Sequence, residues 1–450
     1  MSLILSLAPQ PLRLAALHEP QLTYVLVTIN ADAGAGTAPV RWAVIADASR
    51  SMRIPIVSED QFRELVRAGG AQEVLVDGMP VWQLTAPVPE VIKASAPSAL
   101  DHTARALHSL IERLDRTDQL VLIACAEEAL LLVAASGERR HELVAGIARL
   151  PSLRLGEQTN LAAGLELALT QLGRLPRAAG AVNRILLLTD GFTRDSEACL
   201  ALARAASEQG ISLSTLGLGG EFQDDLLTQL ADLSGGRASY VRRAEQIPAA
   251  VAAELEAARG VSAQALSLSI RLTRGVTLRH ATRLNPTLAP LSWEQQSEQI
   301  LLRLGDLEQG NPISLLLELL APALPPRPVA GGARMRLAQV QAQSGRAEAR
   351  ADLVATYEVG SVAPPAPILT AAARAATVRL QHRAAAAASR GNAPEAARLL
   401  RSAAARLRDL GETNLAAAAL HEATNLERTG QDSGLGARDL TYATRRLGQL

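Results

Sequence analysis

Two kinds of apolar spacing alternate along this chain and divide it into regions. Between Arg41 and about Gly260, short runs are apolar at nearly every position: RWAVIAD, QLVLIACA, ALLLVAAS, NRILLLTD, ISLSTLGLG and RASYVR. A strand apolar on both faces has no solvent side, as in a parallel sheet covered by helices. Between these runs apolar residues recur at three- and four-residue steps, which predicts helices packed by one face. Leu100, Ala104, Leu107, Ile111 and Leu114 form one such stripe, with Ser98 placed to cap it. Strand, helix and strand in succession predict right-handed crossovers and a doubly wound, mostly parallel α/β sheet.

The flanks have a different texture. Residues 1–37 hold LILSL, LRLAAL and LTYVLVTINAD, broken by Pro9, Pro11 and Pro20, and read as strands ahead of a linker-like ADAGAGTAP. Residues 261–360 hold six further strand-like runs punctuated by Gly, Asn and Pro, which predicts an antiparallel β-sandwich. The α/β region, residues 38–260, is therefore expected to be inserted in that sandwich or flanked by it. Two unrelated β pieces would give the same pattern. After the VAPPAPI linker, residues 366–450 are helical and rich in Ala, Leu and Arg, with a helical hairpin turning at Gly411 and no second copy at a fixed period.

Charge narrows the function classes. Lys and Arg together number 45, matching 45 Asp and Glu, and the one lysine is Lys93. No basic stripe stands out, which argues against nucleic acid. Cys125 and Cys199 make neither a disulfide framework nor a metal knuckle and suit small core positions in a reducing compartment. The N-terminus has no basic residue before its short apolar run, and no window holds the ~18 apolar residues that cross a bilayer. A soluble cytoplasmic protein is the expectation. The seven histidines are scattered without zinc-ligand spacing, no Gly-x-Ser-x-Gly elbow occurs, and LGLGG lacks the spacing of a phosphate loop. These features predict a protein that is not an enzyme.

Candidate chemistry appears where polar residues interrupt strand ends. Asp47, Ser49 and Ser51 follow the first all-apolar run of the α/β region, Thr159 precedes a helix carrying Leu161, Leu165 and Leu169, and Asp190 ends ILLLT before Gly191. The first cluster alone is equally a strand end whose short side chains satisfy backbone groups. In open α/β sheets, however, ligands gather outside the carboxyl ends of the strands, where all three clusters belong. Hydroxyls with two carboxylates are hard oxygen donors, suited to Mg²⁺, with Mn²⁺ or Ca²⁺ as substitutes, and unsuited to zinc.

Together these residues resemble the von Willebrand factor type A domain and its metal-ion-dependent adhesion site, of an intracellular bacterial type. The family pattern is Asp-x-Ser-x-Ser, a distant Thr and a distant Asp in a Thr-Asp-Gly setting, here Asp47, Ser49, Ser51, Thr159 and Asp190. The resemblance covers about residues 38–260. It implies direct binding by the two serines and the threonine, with the aspartates acting largely through water. It further implies an adaptor that uses Mg²⁺ to bind an Asp or Glu of a partner protein, and partners such as a MoxR-type AAA+ ATPase or a kinase and phosphatase system. Coupling to neighbouring domains through the last helix, AEQIPAAVAAELEAARG, is also implied. The alternative is a scaffold whose C-terminal helices make the main contacts while the metal is structural.

Two departures stand out. Arg50 occupies a place where the family often has a small residue. An insert at about residues 53–97 separates the serines from the first helix, and it predicts a Ser58/Gln61-capped helix and a hairpin turning at Asp77-Gly78. Arg50 in the serine loop and Met79, Val81 and Trp82 in the insert are the candidate partner-rim residues.

Overall fold

The structure, a computed structural model, describes residues 2–32, 38–57, 59–76, 79–85, 96–176, 180–219, 222–325, 333–360 and 362–449. Its α/β domain holds a six-stranded sheet ordered Ala238–Val241, Ser212–Leu218, Val182–Thr189, Val40–Asp47, Gln119–Cys125 and Ala129–Ser136. The first five strands run parallel. The last returns antiparallel from its neighbour as a hairpin, because no helix separates the two in sequence. Every residue of Val40–Asp47 is buried, as expected of the strand at the sheet centre.

Alternate residues of that strand feed opposite layers. Trp42, Val44 and Ala46 pack with helices Ala99–Arg113 and Ile247–Arg259, while Ala43 and Ile45 pack with Leu161–Arg174, Ser196–Glu208 and Asp224–Ser234. Ser98 caps the helix it precedes, its hydroxyl accepting from Asp101 N–H at 3.2 Å, while Asp101 returns a carboxylate to Ser98 N–H at 2.9 Å. Cys125 and Cys199 are free and buried. Burial pushes both thiols up to about 12, so they behave as apolar filling.

The β regions at the two ends of the chain form one sandwich. A five-stranded sheet runs Leu3–Ala8, Gln21–Ala31, Ile313–Ala321, Thr277–Asn285 and Ala289–Pro290. The six-stranded partner runs Glu294–Gln296, Gln299–Glu308, Val261–Leu272, Ala333–Ser344, Ala347–Glu358 and Leu12–Ala15. Gln21–Ala31 alternates inward and outward, so Val25, Val27 and Ile29 enter a core shared with Leu268, Ile270, Leu315, Leu317 and Leu353. The α/β domain is thus an insertion between Gln21–Ala31 and Val261–Leu272. Asp118 holds both crossings: its carboxylate accepts from Val40 N–H at 2.8 Å and lies 3.2 Å from Arg259.

Four helices close the chain: Ala366–Ser389, Ala393–Asp409, Thr413–Thr429 and Leu435–Arg445. The expected hairpin is the middle pair, and Gly411 supplies the positive φ, +82°, at its turn. The helical region extends beyond a hairpin. Ala366–Ser389 packs on the sandwich through Ala371 and Ala375 against Leu316, and the final helix packs on the α/β domain. There Arg438 lies 4.8 Å above the Phe222 ring, and Tyr442 joins the α/β core.

One carboxylate, its side chain 12% exposed, joins all three regions. Asp232, on Asp224–Ser234, receives Arg445 of the final helix in two bonds of 2.7 and 2.8 Å and Arg283 of the sandwich at 2.8 Å. Burial pushes the Asp232 carboxyl up, but Arg445 and then Arg283 outweigh it and hold the group below its ordinary value. Among the described residues no helix is long and apolar enough to cross a membrane.

Candidate metal centre

Val40–Asp47 lies where strand order reverses, with Gln119–Cys125 on one side and Val182–Thr189 on the other. Asp47 is fully buried at its carboxyl end. One carboxylate oxygen accepts from Ser49 N–H at 2.9 Å. The other accepts from the Thr189 hydroxyl at 2.5 Å and the Thr159 hydroxyl at 3.3 Å. Ser49 Oγ lies 3.1 Å from Ser51 Oγ, and Ser51 donates to Asp190 Oδ1 at 2.7 Å. The five residues singled out in the sequence therefore meet as one run of oxygens, from a buried wall at Asp47, Ser49 and Thr159 to an open mouth at Ser51 and Asp190.

The surrounding backbone holds that run in place. The short turn Ser51–Arg53 buries Met52 beneath the loop. Arg53 then donates to the carbonyls of Ser49 at 3.2 Å, Leu153 at 2.8 Å and Gly156 at 3.1 Å, tying the serine loop to the loop that carries Thr159. Asn160, next to Thr159, caps helix Leu161–Arg174 through Ala163 N–H at 3.0 Å. Gly191 passes so close that a Cβ there would sit 2.9 Å from Thr159 Oγ1 and 3.3 Å from Asp47 Oδ2. Its neighbour Phe192 is exposed.

Burial pushes the Asp47 carboxyl above its ordinary value, against the pull of the hydrogen bonds from Thr189, Ser49 and Thr159. No salt bridge reaches Asp47 among the described residues. Nor do any three His, Cys, Asp or Glu among them cluster as metal ligands, so a cation here would rest on hydroxyls as well as carboxylates. An all-oxygen donor set around a buried carboxylate that forms no salt bridge among the described residues, its nearby cation Arg53 being bonded to three backbone carbonyls, fits a hard divalent ion. Both Asp47 oxygens already accept protein donors, which suits a carboxylate that acts on an ion through intervening groups.

Some participants are not evident from the sequence. In the sequence Thr189 figures only as the threonine of the Thr-Asp-Gly setting around Asp190, with no role of its own. Arg53 carries no signal, since its three acceptors are backbone atoms. Exposed Ile54 and Ile56 border the site from the first residues of the insert.

Of the expected rim, Arg50 is exposed, with Nη1 3.6 Å from the equally exposed Glu157 carboxylate. The insert forms helix Glu59–Arg67 and a hairpin pairing Val74 with Val81 and Val76 with Met79. Ser58 and the turn residues Asp77 and Gly78 lie outside the described residues, as do the side chains of Met79, Val81 and Trp82.

Comparison with known proteins places this geometry. Residues 94–253 match the von Willebrand factor type A domain, and residues 366–450 match the Sll0103-like, C-terminal alpha-helical domain. The first match begins near the end of the insert, so Thr159 and Asp190 fall inside it while Asp47, Ser49 and Ser51 precede it. An uncharacterized Synechocystis protein, sll0103, is 26% identical over 324 residues, 70% of each chain. A von Willebrand factor type A structure from Catenulispora acidiphila superposes with a TM-score of 0.71 at 14% identity, over 99% of this chain and 96% of the other. The ArnB paralog VWA2 from Sulfolobus acidocaldarius gives 0.54 at 14% identity, over 100% and 99%. These two likenesses are of fold. The chain contains a von Willebrand factor type A domain, set in a β-sandwich and followed by a helical domain of the Sll0103-like kind.

Proposed function

We propose that the chain is an interaction module that captures an Asp or Glu of a partner protein through a divalent cation, Mg²⁺ in the first instance. The carrying observation is the meeting of Asp47, Ser49, Ser51, Thr159 and Asp190 at one sheet edge. Ser49, Ser51 and Thr159 would hold the ion directly, with Asp47 and Asp190 supporting them. A bound Mg²⁺ with few charged ligands supplies an electrophilic position that an outside carboxylate completes. Both oxygens of Asp47 are engaged by protein donors and Asp190 accepts from Ser51, so neither stands ready as a general base, and binding is favoured over hydrolysis. We place the protein in the cytoplasm, where free buried thiols are at home. A MoxR-type AAA+ ATPase and a kinase or phosphatase system are the partner classes that the family resemblance suggests.

A second reading makes the cation structural and gives partner contact to the C-terminal helices. It is supported by a cavity of about 780 Å³ walled by Ala384, Ala388, Leu400, Leu426 and Leu440, with Asp224, Asp225 and Phe192 of the α/β domain beside it. Isothermal titration with Mg²⁺ and a lysate pull-down in Mg²⁺ against EDTA separate the two. The first reading expects binding heat and partner recovery in Mg²⁺ alone, with both lost in Asp190→Ala. Partner recovery that survives EDTA and Asp190→Ala would support the second, and an absence of Mg²⁺ heat in the unaltered protein would remove both.

A further inference from the structure

The floor of the metal centre is polar, but much of its rim is not. Ile54, Ile56 and Phe192 are 51%, 44% and 58% exposed, an open apolar group around a single site. Such clustering on a folded surface marks contact with another molecule. Ile54 and Ile56 stand two residues apart in an extended segment, fixed by the bridge between Pro55 and Ser98 and by Ile56 N–H donating to Pro97 O at 3.2 Å. That spacing turns both toward the same side.

They wall a groove of about 410 Å³ with Pro55, Leu218 and Ala244; Arg242, Arg243 and Glu245 also line it, and it reaches Ser51 and Asp190. A second groove, of about 760 Å³, shares Ser51, Ile54, Asp190, Leu218 and Gly219 but is walled beyond them by Glu157, Gln158, Thr193 and Arg194, with Phe192 on its edge. The side bearing Pro55, Ile56 and Ala244 is thus the more aliphatic of the two.

We propose that the partner segment carries a large aliphatic side chain beside its acidic residue, and that this side chain seats between Ile54, Ile56 and Leu218 while the acid occupies the mouth. The inference rests on the cation-bridged capture proposed above and narrows its partner. The oxygen centre alone would accept any exposed carboxylate. The adjoining groove discriminates, because burying a large aliphatic group there adds affinity that a glycine or serine neighbour does not supply.

The test uses the full-length protein and a random nine-residue peptide library displayed on phage, selected in Mg²⁺. The expected result is enrichment of Asp or Glu flanked within two positions by Leu, Ile or Met. The double variant Ile54→Ser/Ile56→Ser, both at exposed positions, should keep the acid, lose the aliphatic preference and bind the selected peptides ~10-fold or more weakly. Its Mg²⁺ titration heat and circular dichroism should match the unaltered protein. Enrichment of acid without an aliphatic neighbour, an aliphatic preference unchanged in the double variant, or no enrichment despite Mg²⁺ binding would each overturn the proposal. Dimers on sedimentation that vanish in the double variant would also overturn it, assigning the groove to a second copy of the chain. An aliphatic preference that persists in EDTA and in Asp190→Ala would retain the groove and sink the metal reading beneath it.

Discussion

Three donors satisfy the buried Asp47 carboxyl, and two of them, Ser49 and Thr159, belong to the proposed cation shell. The third, Thr189, also accepts Gly191 N–H at 3.1 Å, so it orients the carboxylate and the turn together. Thr189→Val preserves shape and removes a buried hydroxyl from its buried acceptor. Urea denaturation should show a loss of about 1–3 kcal/mol, and Mg²⁺ affinity should fall with it; unchanged stability would mean that the hydroxyl is dispensable. Gly191→Ala tests the close approach. The added methyl must displace Thr159 Oγ1, so titration should show weakened Mg²⁺ binding with circular dichroism unaltered, and undiminished affinity would show that the loop can give way. The five oxygen residues were visible in the sequence because each breaks an apolar run or opens a helix at the carboxyl edge of the sheet. The bond from Thr189 to Asp47 and the role of Arg53 were not. A strand tolerates threonine anywhere, and an arginine bonded to backbone carbonyls leaves no complementary residue to find.

At the scale of elements, strands apolar on both faces were recognisable by pattern alone, as was the helix capped by Ser98. Partnership between distant strands was not. Leu12–Ala15 pairs parallel with residues Ala355 to Glu358, a match that no local period encodes. The final helix hides for a related reason. Its sequence suits the helical tail, yet it is anchored to the α/β domain by arginines whose partners lie elsewhere in the chain.

Asp232→Asn addresses that anchoring directly. Removing one partner from a buried ionic group should cost about 3–5 kcal/mol near neutral pH. The native Asp232 carboxyl is held below its ordinary value, so its contribution is complete above about pH 4 and is lost as pH falls through the lower native value. The gap between unaltered protein and variant in urea should therefore stay level from neutrality to about pH 5 and close only in stronger acid. A gap that widened on acidification would contradict the assignment.

Across the whole molecule, Asp232 of the α/β domain joins one arginine from each of the other two regions, and Arg184 of the α/β sheet is buried 3.3 Å from Asp306 of the sandwich. Regions joined through buried charge should not melt separately. Differential scanning calorimetry should show one transition for the full chain, and Arg445→Ala should lower it as a unit. Two resolved transitions in the unaltered protein would show that the regions are energetically independent. The same linkage bears on the coupling that the family resemblance implies, since helix Ile247–Arg259 passes into Val261–Leu272 through Gly260 alone. A shift of that helix would have to move a sandwich strand with it.

Asp118 carries one last implication. It receives the incoming chain at Val40 and the outgoing chain at Arg259, so both ends of a domain of more than two hundred residues reach the sandwich at a single spot. Closing so long an excursion costs little more than closing a short one. The adjacent ends alone would let the sandwich host another unit, but such a unit would also have to offer a carboxylate to Arg283 and Arg445 and a cation to Asp306, so frame and cargo are matched through their charges.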